Sequence, residues 1–155
     1  MKLKNYSTSV EGEKSIMEIE KFLAEFGASA IMKTYGADNR VVSISFKHLN
    51  QGYQLPANVE GVANVLFGKK RLKHSRDSQV HRDQQAYRVA WRIIRDWLHS
   101  QLSLIESGQA QPDQILLPYM FDGKKTLYEA YKSGQLQIGE KRQYDINSKE
   151  EAKRV

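Results

Sequence analysis

The stretch KKRLKHSRDSQVHRDQQAYRVAWRIIRDWLH, residues 69–99, decides the fold that this sequence predicts. It joins a dense run of cations to an apolar helical pattern that contains both tryptophans of the chain. At about 100° per residue, residues 80–106 divide into a broad apolar arc and a narrow polar stripe. A helix that is apolar over more than half of its circumference packs on several sides. We therefore predict one long, largely buried helix, which should end near Ser107 because Gly108 follows.

Aromatic and aliphatic side chains make up the arc of this helix. They are Ala86, Tyr87, Val89, Ala90, Trp91, Ile93, Ile94, Trp97, Leu98, Leu102, Leu104 and Ile105. The polar stripe consists of His81, Gln85, Arg88, Arg92, Arg95 and His99. Its three arginines span about 10 Å along the axis, so they could reach two phosphates of a nucleic-acid strand. The alternative is that they are solvated or pair with carboxylates of neighbouring elements.

The segments before the long helix predict a small antiparallel sheet. Residues 5–10 (NYSTSV) alternate like a strand, and residues 13–27 (EKSIMEIEKFLAEFG) have the pattern of an amphipathic helix that ends at Gly27. Residues 28–36 and 40–48 predict two further strands, with turn-forming residues between them. These two strands should form a hairpin with one buried face.

Val42, Ile44 and Phe46 alternate with other side chains along the second strand of this hairpin and should face the core. A fourth extended segment is predicted before Pro56, because the residue that precedes a proline disfavours the helical conformation. Pro56 itself suits the first turn of the helix that follows. A break over residues 75–78 would then precede the long helix.

After the long helix, two short helical segments flank a turn at Asp122 and Gly123. The fold class predicted from these elements is α+β, a small antiparallel sheet of three to four strands packed on one long helix, with shorter helices around it. We predict a single domain over residues 1–139 and a polar, mobile tail over residues 140–155.

The net charge of +6 is confined to one part of the chain. Residues 1–68 carry seven Lys/Arg and seven Asp/Glu, and residues 100–155 carry eight of each. The whole excess therefore lies in residues 69–99, where it creates a directed field. The cations predicted to bind nucleic acid are Lys69, Lys70, Arg71, Lys73, Arg76, Arg88, Arg92 and Arg95.

Four aromatic side chains are candidates for stacking on bases. Tyr35, Phe46 and Tyr53 come from the predicted sheet, and Trp91 lies between the apolar arc and the arginine stripe. Tryptophans at helical spacing are usually part of the core. The alternative to base stacking is therefore that Trp91, like Trp97, packs inside the protein. Periodicity does not decide which face of the sheet is open.

The sequence contains none of the motifs that would indicate an enzyme. It has no cysteine, no helical pair of histidines spaced for a metal, and no phosphate-binding or nucleophile motif. Glu11, Glu13, Glu18 and Glu25 are interpreted as solvated helix charges. We expect no catalysis, no cofactor and no metal. The absence of a long apolar run and of a signal-peptide pattern predicts a cytoplasmic protein without membrane contact.

Several short motifs follow one another along the chain: the opening KNYSTSV, the strand VVSISF, LPANVEGV, the W-R-I-I-x-x-W-L arrangement with IESG, LLPYM and the turn GKKTLYE. With these motifs the chain resembles a loose group of short proteins encoded by tailed phages, prophages and related mobile elements. The resemblance covers most of residues 4–131 and implies a setting in replication, recombination or the blocking of host defence, in the host cytoplasm. It implies no particular chemistry.

The function predicted from these observations is non-catalytic binding of nucleic acid, with single-stranded DNA favoured and weak sequence preference. The first alternative is a protein-interaction module that docks its basic face on an acidic surface of a host or phage protein. The second is a homo-oligomer in which part of the long helix forms the subunit interface.

Overall fold

The computed structural model describes residues 2–68 and 76–136, and for residues 76–77 it describes the backbone alone. The fold class is α+β, as predicted. The elements are α1 (Gly12–Phe26), β1 (Ala30–Tyr35), β2 (Val41–His48), β3 (Gln51–Pro56), α2 (Val59–Phe67), α3 (Arg76–Glu106), α4 (Pro112–Leu116) and α5 (Leu127–Lys132). A short 3-10 turn at Leu117–Tyr119 follows α4. The predicted boundary at residue 139 and the predicted tail, 140–155, lie outside the described residues.

The three strands form an antiparallel sheet in the order β1-β2-β3. The prediction of a strand at residues 5–10 is wrong, because this segment is a turn in which Asn5 has a positive φ of 60°. Its backbone carbonyls find their partner on α3, where the Nε2 of Gln85 donates to the carbonyl oxygens of Tyr6 and Thr8 at 3.1 and 3.0 Å. The segment is therefore a strap across α3.

The start of β2 departs from simple alternation. Val42 was predicted to face the core, but Val41 is buried there and Val42 is 39% exposed. Thr34 pairs with Ser43 and Tyr35 with Val41, so a bulge leaves Val42 without a partner on β1. Beyond the bulge, Ile44 and Phe46 are buried, as predicted.

Pro56 does not open α2, contrary to the prediction. It is the last residue of β3, where it pairs with Ser43. Asn58 caps α2 instead, because its Oδ1 accepts a hydrogen bond of 2.8 Å from the N–H of Gly61. The extended segment before this helix is confirmed as β3.

The core lies between the sheet, α1 and α3. Its fully or almost fully buried side chains include Ile16, Ile19, Leu23, Ile44, Phe46, Tyr53, Leu55, Trp91 and Leu98. α1 and α3 run side by side in the same direction, since Glu11 contacts Arg88 and Glu18 contacts Arg95. Gly12 allows this approach, because a Cβ atom there would lie 2.3 Å from Cε1 of Tyr87.

The open edge of β3 is covered by the chain that follows α4. The N–H of Phe121 donates to the carbonyl of Gly52 at 2.8 Å, and Met120 forms a bridge with Tyr53. None of the helices in the described residues is long and apolar enough to span a membrane.

Candidate nucleic-acid interface

Most of the predicted cationic run, residues 69–76, lies outside the residues that the structure describes. Lys69, Lys70, Arg71 and Lys73 lie outside the described residues, and of Arg76 only the backbone, at the first residue of α3, is described. The chain enters this run from Gly68 at the end of α2 and leaves it at Arg76. The charges of the run are therefore tethered to the adjoining ends of α2 and α3.

The arginine stripe of α3 faces α1 rather than solvent. Arg88 forms an ion pair with Glu11, Arg92 contacts Oε2 of Glu18 at 3.0 Å, and Arg95 binds the same oxygen. The side chains of Arg92 and Arg95 are each 22% exposed. These arginines are therefore less open to the phosphates of a strand than the sequence predicted, because α1 packs along the stripe. All three arginines pair with carboxylates of a neighbouring element, which is the alternative given in the sequence analysis.

Asp96 joins the stripe to the N-terminal strap. Its Oδ2 accepts hydrogen bonds from Nδ2 of Asn5 at 3.0 Å and from Nζ of Lys4 at 3.1 Å. Its Oδ1 accepts from Nη1 of Arg95 at 3.2 Å. Burial raises the pKa of Asp96, but the bonds from Asn5, Lys4 and Arg95 outweigh burial and hold the pKa below its ordinary value. The pKa of Glu18 is lowered in the same way. Burial alone would raise this pKa, but the hydrogen bonds and positive charges of Arg95 and Arg92 outweigh burial.

Asp96→Asn is expected to lower the free energy of unfolding by about 1–2 kcal/mol at neutral pH, since it weakens a charged hydrogen-bond network. A carboxylate whose pKa is depressed by folding stabilises the protein above its unfolded pKa, and this contribution is lost as the pH falls through the folded pKa. The ordinary pKa of Asp96 is 3.8. Urea unfolding between neutral pH and about pH 3 should therefore show the deficit of the variant shrinking below about pH 4.

A matched control is Glu25→Gln, which removes a carboxylate from an exposed pair with Lys21 at 3.8 Å. This variant should unfold like the wild type at neutral pH, because exposed ion pairs contribute little. An Asp96→Asn variant with a deficit that stays constant down to pH 3 would contradict the assignment of this network.

Three of the four stacking candidates are closed to a base. Phe46 and Tyr53 are 3% and 4% exposed and stack on each other in the core with ring centroids 5.1 Å apart. Trp91 is fully buried, and its Nε1–H donates to the carbonyl of Val41 at 3.3 Å. These three predictions are wrong because all three rings lie in the core between the sheet, α1 and α3. Tyr35, at the end of β1, is 57% exposed and remains available.

A cleft of about 650 Å³ opens between α2, the first turns of α3 and the turn that joins β1 to β2. Its lining residues are Asp38, Arg40, Val59, Glu60, Ala63, Asn64, Phe67, Gly68, Gln79, Val80, Arg82 and Asp83. Each of its two arginines lies over an aromatic ring: Arg82 is 5.1 Å from the ring centre of Phe67, and Arg40 is 5.2 Å from that of Tyr87. Planar cations and rings of this kind are surfaces on which bases stack.

Sequence reasoning missed both the acidic partners of the stripe and the cleft. Glu11 and Glu18 were read as solvated helix charges, yet they bind the arginines. A signal was present, because Glu11 and Glu18 are seven residues apart and so are Arg88 and Arg95. Two helices that run in the same direction bring such matched spacings into register. Arg40 and Arg82 carried no signal, since they come together only in the folded chain.

The described ranges, 2–68 and 76–136, contain no group of three or more His, Asp or Glu side chains that could hold a metal ion. What the described residues offer is a surface for stacking: two arginines over aromatic rings, in a cleft lined by apolar and charged side chains. Comparison of the chain with protein-family models, with curated proteins and with solved structures gave no match.

Proposed function

We propose that this protein binds single-stranded DNA without catalysing a reaction, in the DNA metabolism of a phage or related mobile element. The observation that carries the proposal is the charge of residues 69–82, which hold six Lys/Arg against one Asp. The cations farther along α3 are paired with Glu11, Glu18 and Asp96. The excess of cations in the sequence therefore lies between the end of α2 and the first turns of α3.

Binding by such a cationic run draws most of its free energy from the release of counterions that had condensed on the strand. The run supplies phosphate contacts, and the adjoining cleft supplies surfaces for unpaired bases. Bases in a duplex are already stacked and paired, which is why a cleft lined by Phe67 and Arg82 favours a single strand. The stripe arginines would have to exchange carboxylate for phosphate, so their part in this proposal is secondary.

One observation favours the alternative of a protein partner. α2 is rich in aliphatic residues, yet none of its residues is buried, and Val65 is 66% exposed. Exposed apolar surface beside a cationic run is also typical of a surface that docks on an acidic protein. The two functions differ in what the cationic run must bind.

Fluorescence anisotropy with a labelled single-stranded oligonucleotide, at low and moderate salt, tests the proposal. The variant Lys69→Ala/Lys70→Ala/Arg71→Ala/Lys73→Ala should bind at least about tenfold more weakly, and the log–log salt slope should fall by about 2–3 because up to four phosphate contacts are removed. The matched control is Lys14→Ala/Lys47→Ala/Lys124→Ala/Lys132→Ala. It removes four cations that are exposed and scattered over other elements.

The control variant should keep most of the wild-type affinity. Equal losses in both variants would mean that net charge alone attracts the strand, and the assignment to the run would fail. If the folded wild-type protein binds no oligonucleotide even at low salt, the proposal is wrong. Binding to an acidic protein partner is then the better hypothesis.

A further inference from the structure

The cleft between α2 and α3 carries more carboxylates than guanidinium groups. Asp38, Glu60 and Asp83 line it together with two arginines, Arg40 and Arg82. Both guanidinium groups lie over aromatic rings. A phosphate would be repelled by this balance of charge, so the cleft suits a neutral group of a bound strand, which is a base.

The size and the walls of the cleft suit a base as well. A volume of about 650 Å³ lies within the range of about 300–1,000 Å³ that is typical of small-molecule sites. Its apolar lining residues are Val59, Ala63, Phe67 and Val80. A base that enters can stack on apolar surface and on the arginine plane while its edges meet polar groups.

The polar groups of the cleft distinguish between the bases. An arginine fork matches two adjacent acceptors, O6 and N7 of guanine. A carboxylate, which only accepts hydrogen bonds, matches two adjacent donors, the N1–H and the 2-amino group of guanine. Thymine offers a single N–H between two carbonyl oxygens. Guanine is therefore the base whose edges complement both kinds of charged group in this cleft.

We propose that this cleft binds a guanine base of the single strand and that Asp83 accepts the hydrogen bonds from its N1–H and 2-amino groups. This inference rests on the proposed function. Gln79 holds Asp83 in place, since its Nε2 donates to Oδ1 of Asp83 at 2.9 Å. The other amide atom of Gln79, Oε1, is buried and has no hydrogen-bond partner among the described residues.

The test compares thymine oligonucleotides that carry one central guanine, inosine or thymine, by anisotropy at one fixed salt concentration. Inosine keeps O6, N7 and N1–H of guanine and lacks the 2-amino group. The guanine probe should bind about tenfold more tightly than the all-thymine probe, a typical discrimination for a good bidentate contact, and the inosine probe should fall between them.

Asp83→Asn should reduce the guanine preference to less than about twofold, because an amide cannot accept from both donors, while affinity for the all-thymine probe stays the same or rises. The control Glu106→Gln neutralises an exposed carboxylate at the other end of α3 and should keep the preference. Equal binding of the three probes by the wild type, or a preference that survives in Asp83→Asn, would overturn the inference and leave strand binding intact. If none of the probes binds, the proposed function falls and the inference with it.

Discussion

Gly12→Ala is expected to lower the free energy of unfolding by about 3 kcal/mol, the upper end of the usual cost of overpacking. A Cβ atom at this position would lie 2.3 Å from Cε1 and 2.5 Å from Cδ1 of Tyr87. The ring cannot turn away freely, because Tyr87 is 4% exposed. Alanine stabilises a helix by at most about 1 kcal/mol relative to glycine. The clash costs more than this gain, so the net effect of the substitution is destabilising. α1 and α3 must move apart.

Thermal and urea unfolding measure this effect, and a loss of about 3 kcal/mol corresponds to roughly 6–12 °C in Tm for a chain of this size. The control is a double-mutant cycle with Tyr87→Leu, which removes the ring. In that background, Gly12→Ala should cost less than about 1 kcal/mol. A single variant as stable as the wild type would show that the two helices do not approach each other this closely.

Trp91→Ala is expected to cost about 3–5 kcal/mol, the range for deleting a large aromatic side chain from a core. Trp91 is fully buried in the cluster that joins the sheet to α1 and α3. Its loss also leaves the carbonyl of Val41 without the indole N–H that donates to it at 3.3 Å. Circular dichroism during urea unfolding gives the free energy without relying on tryptophan fluorescence.

Trp97→Ala is the matched comparison for this variant. Trp97 is partly exposed and packs against Tyr119 with the ring centroids 5.2 Å apart and the ring planes tilted by 54°. Its removal should cost less than half as much as that of Trp91, since fewer contacts are lost. Similar costs at the two positions would contradict the placement of Trp91 at the centre of the core.

The long helix, the hairpin of β1 and β2 and the short C-terminal helices could be predicted because each depends on local patterns. The apolar arc around Trp91, the left-handed Gly27 and the turn formers between two alternating segments are all encoded within a few residues of each other. The bulge at Val42 could not be predicted, because its position depends on how β2 pairs with β1. The prediction for residues 5–10 was wrong for a related reason. Backbone carbonyls of this segment bond to α3, which lies far away in the sequence.

The candidate site was predicted only in part. Periodicity shows that Arg88, Arg92 and Arg95 share one side of α3, but it does not show which neighbour covers that side. The carboxylates Glu11 and Glu18 cover it, and they neutralise charge that appeared free in the sequence. The concentration of cations near residue 70 could be read from the sequence because it depends on composition alone.

The parallel arrangement of α1 and α3 also affects how the chain acquires its structure. The bond between Glu11 and Arg88 joins residues 77 positions apart, so this seam is among the long-range contacts that form slowly. During synthesis, the apolar side of α1, with Ile16, Ile19 and Leu23, lacks the part of its cover that α3 provides until α3 has left the ribosome. A nascent chain that ends before α3 therefore leaves apolar surface of α1 and of the sheet exposed to other chains, and the long helix covers this surface once it has been made.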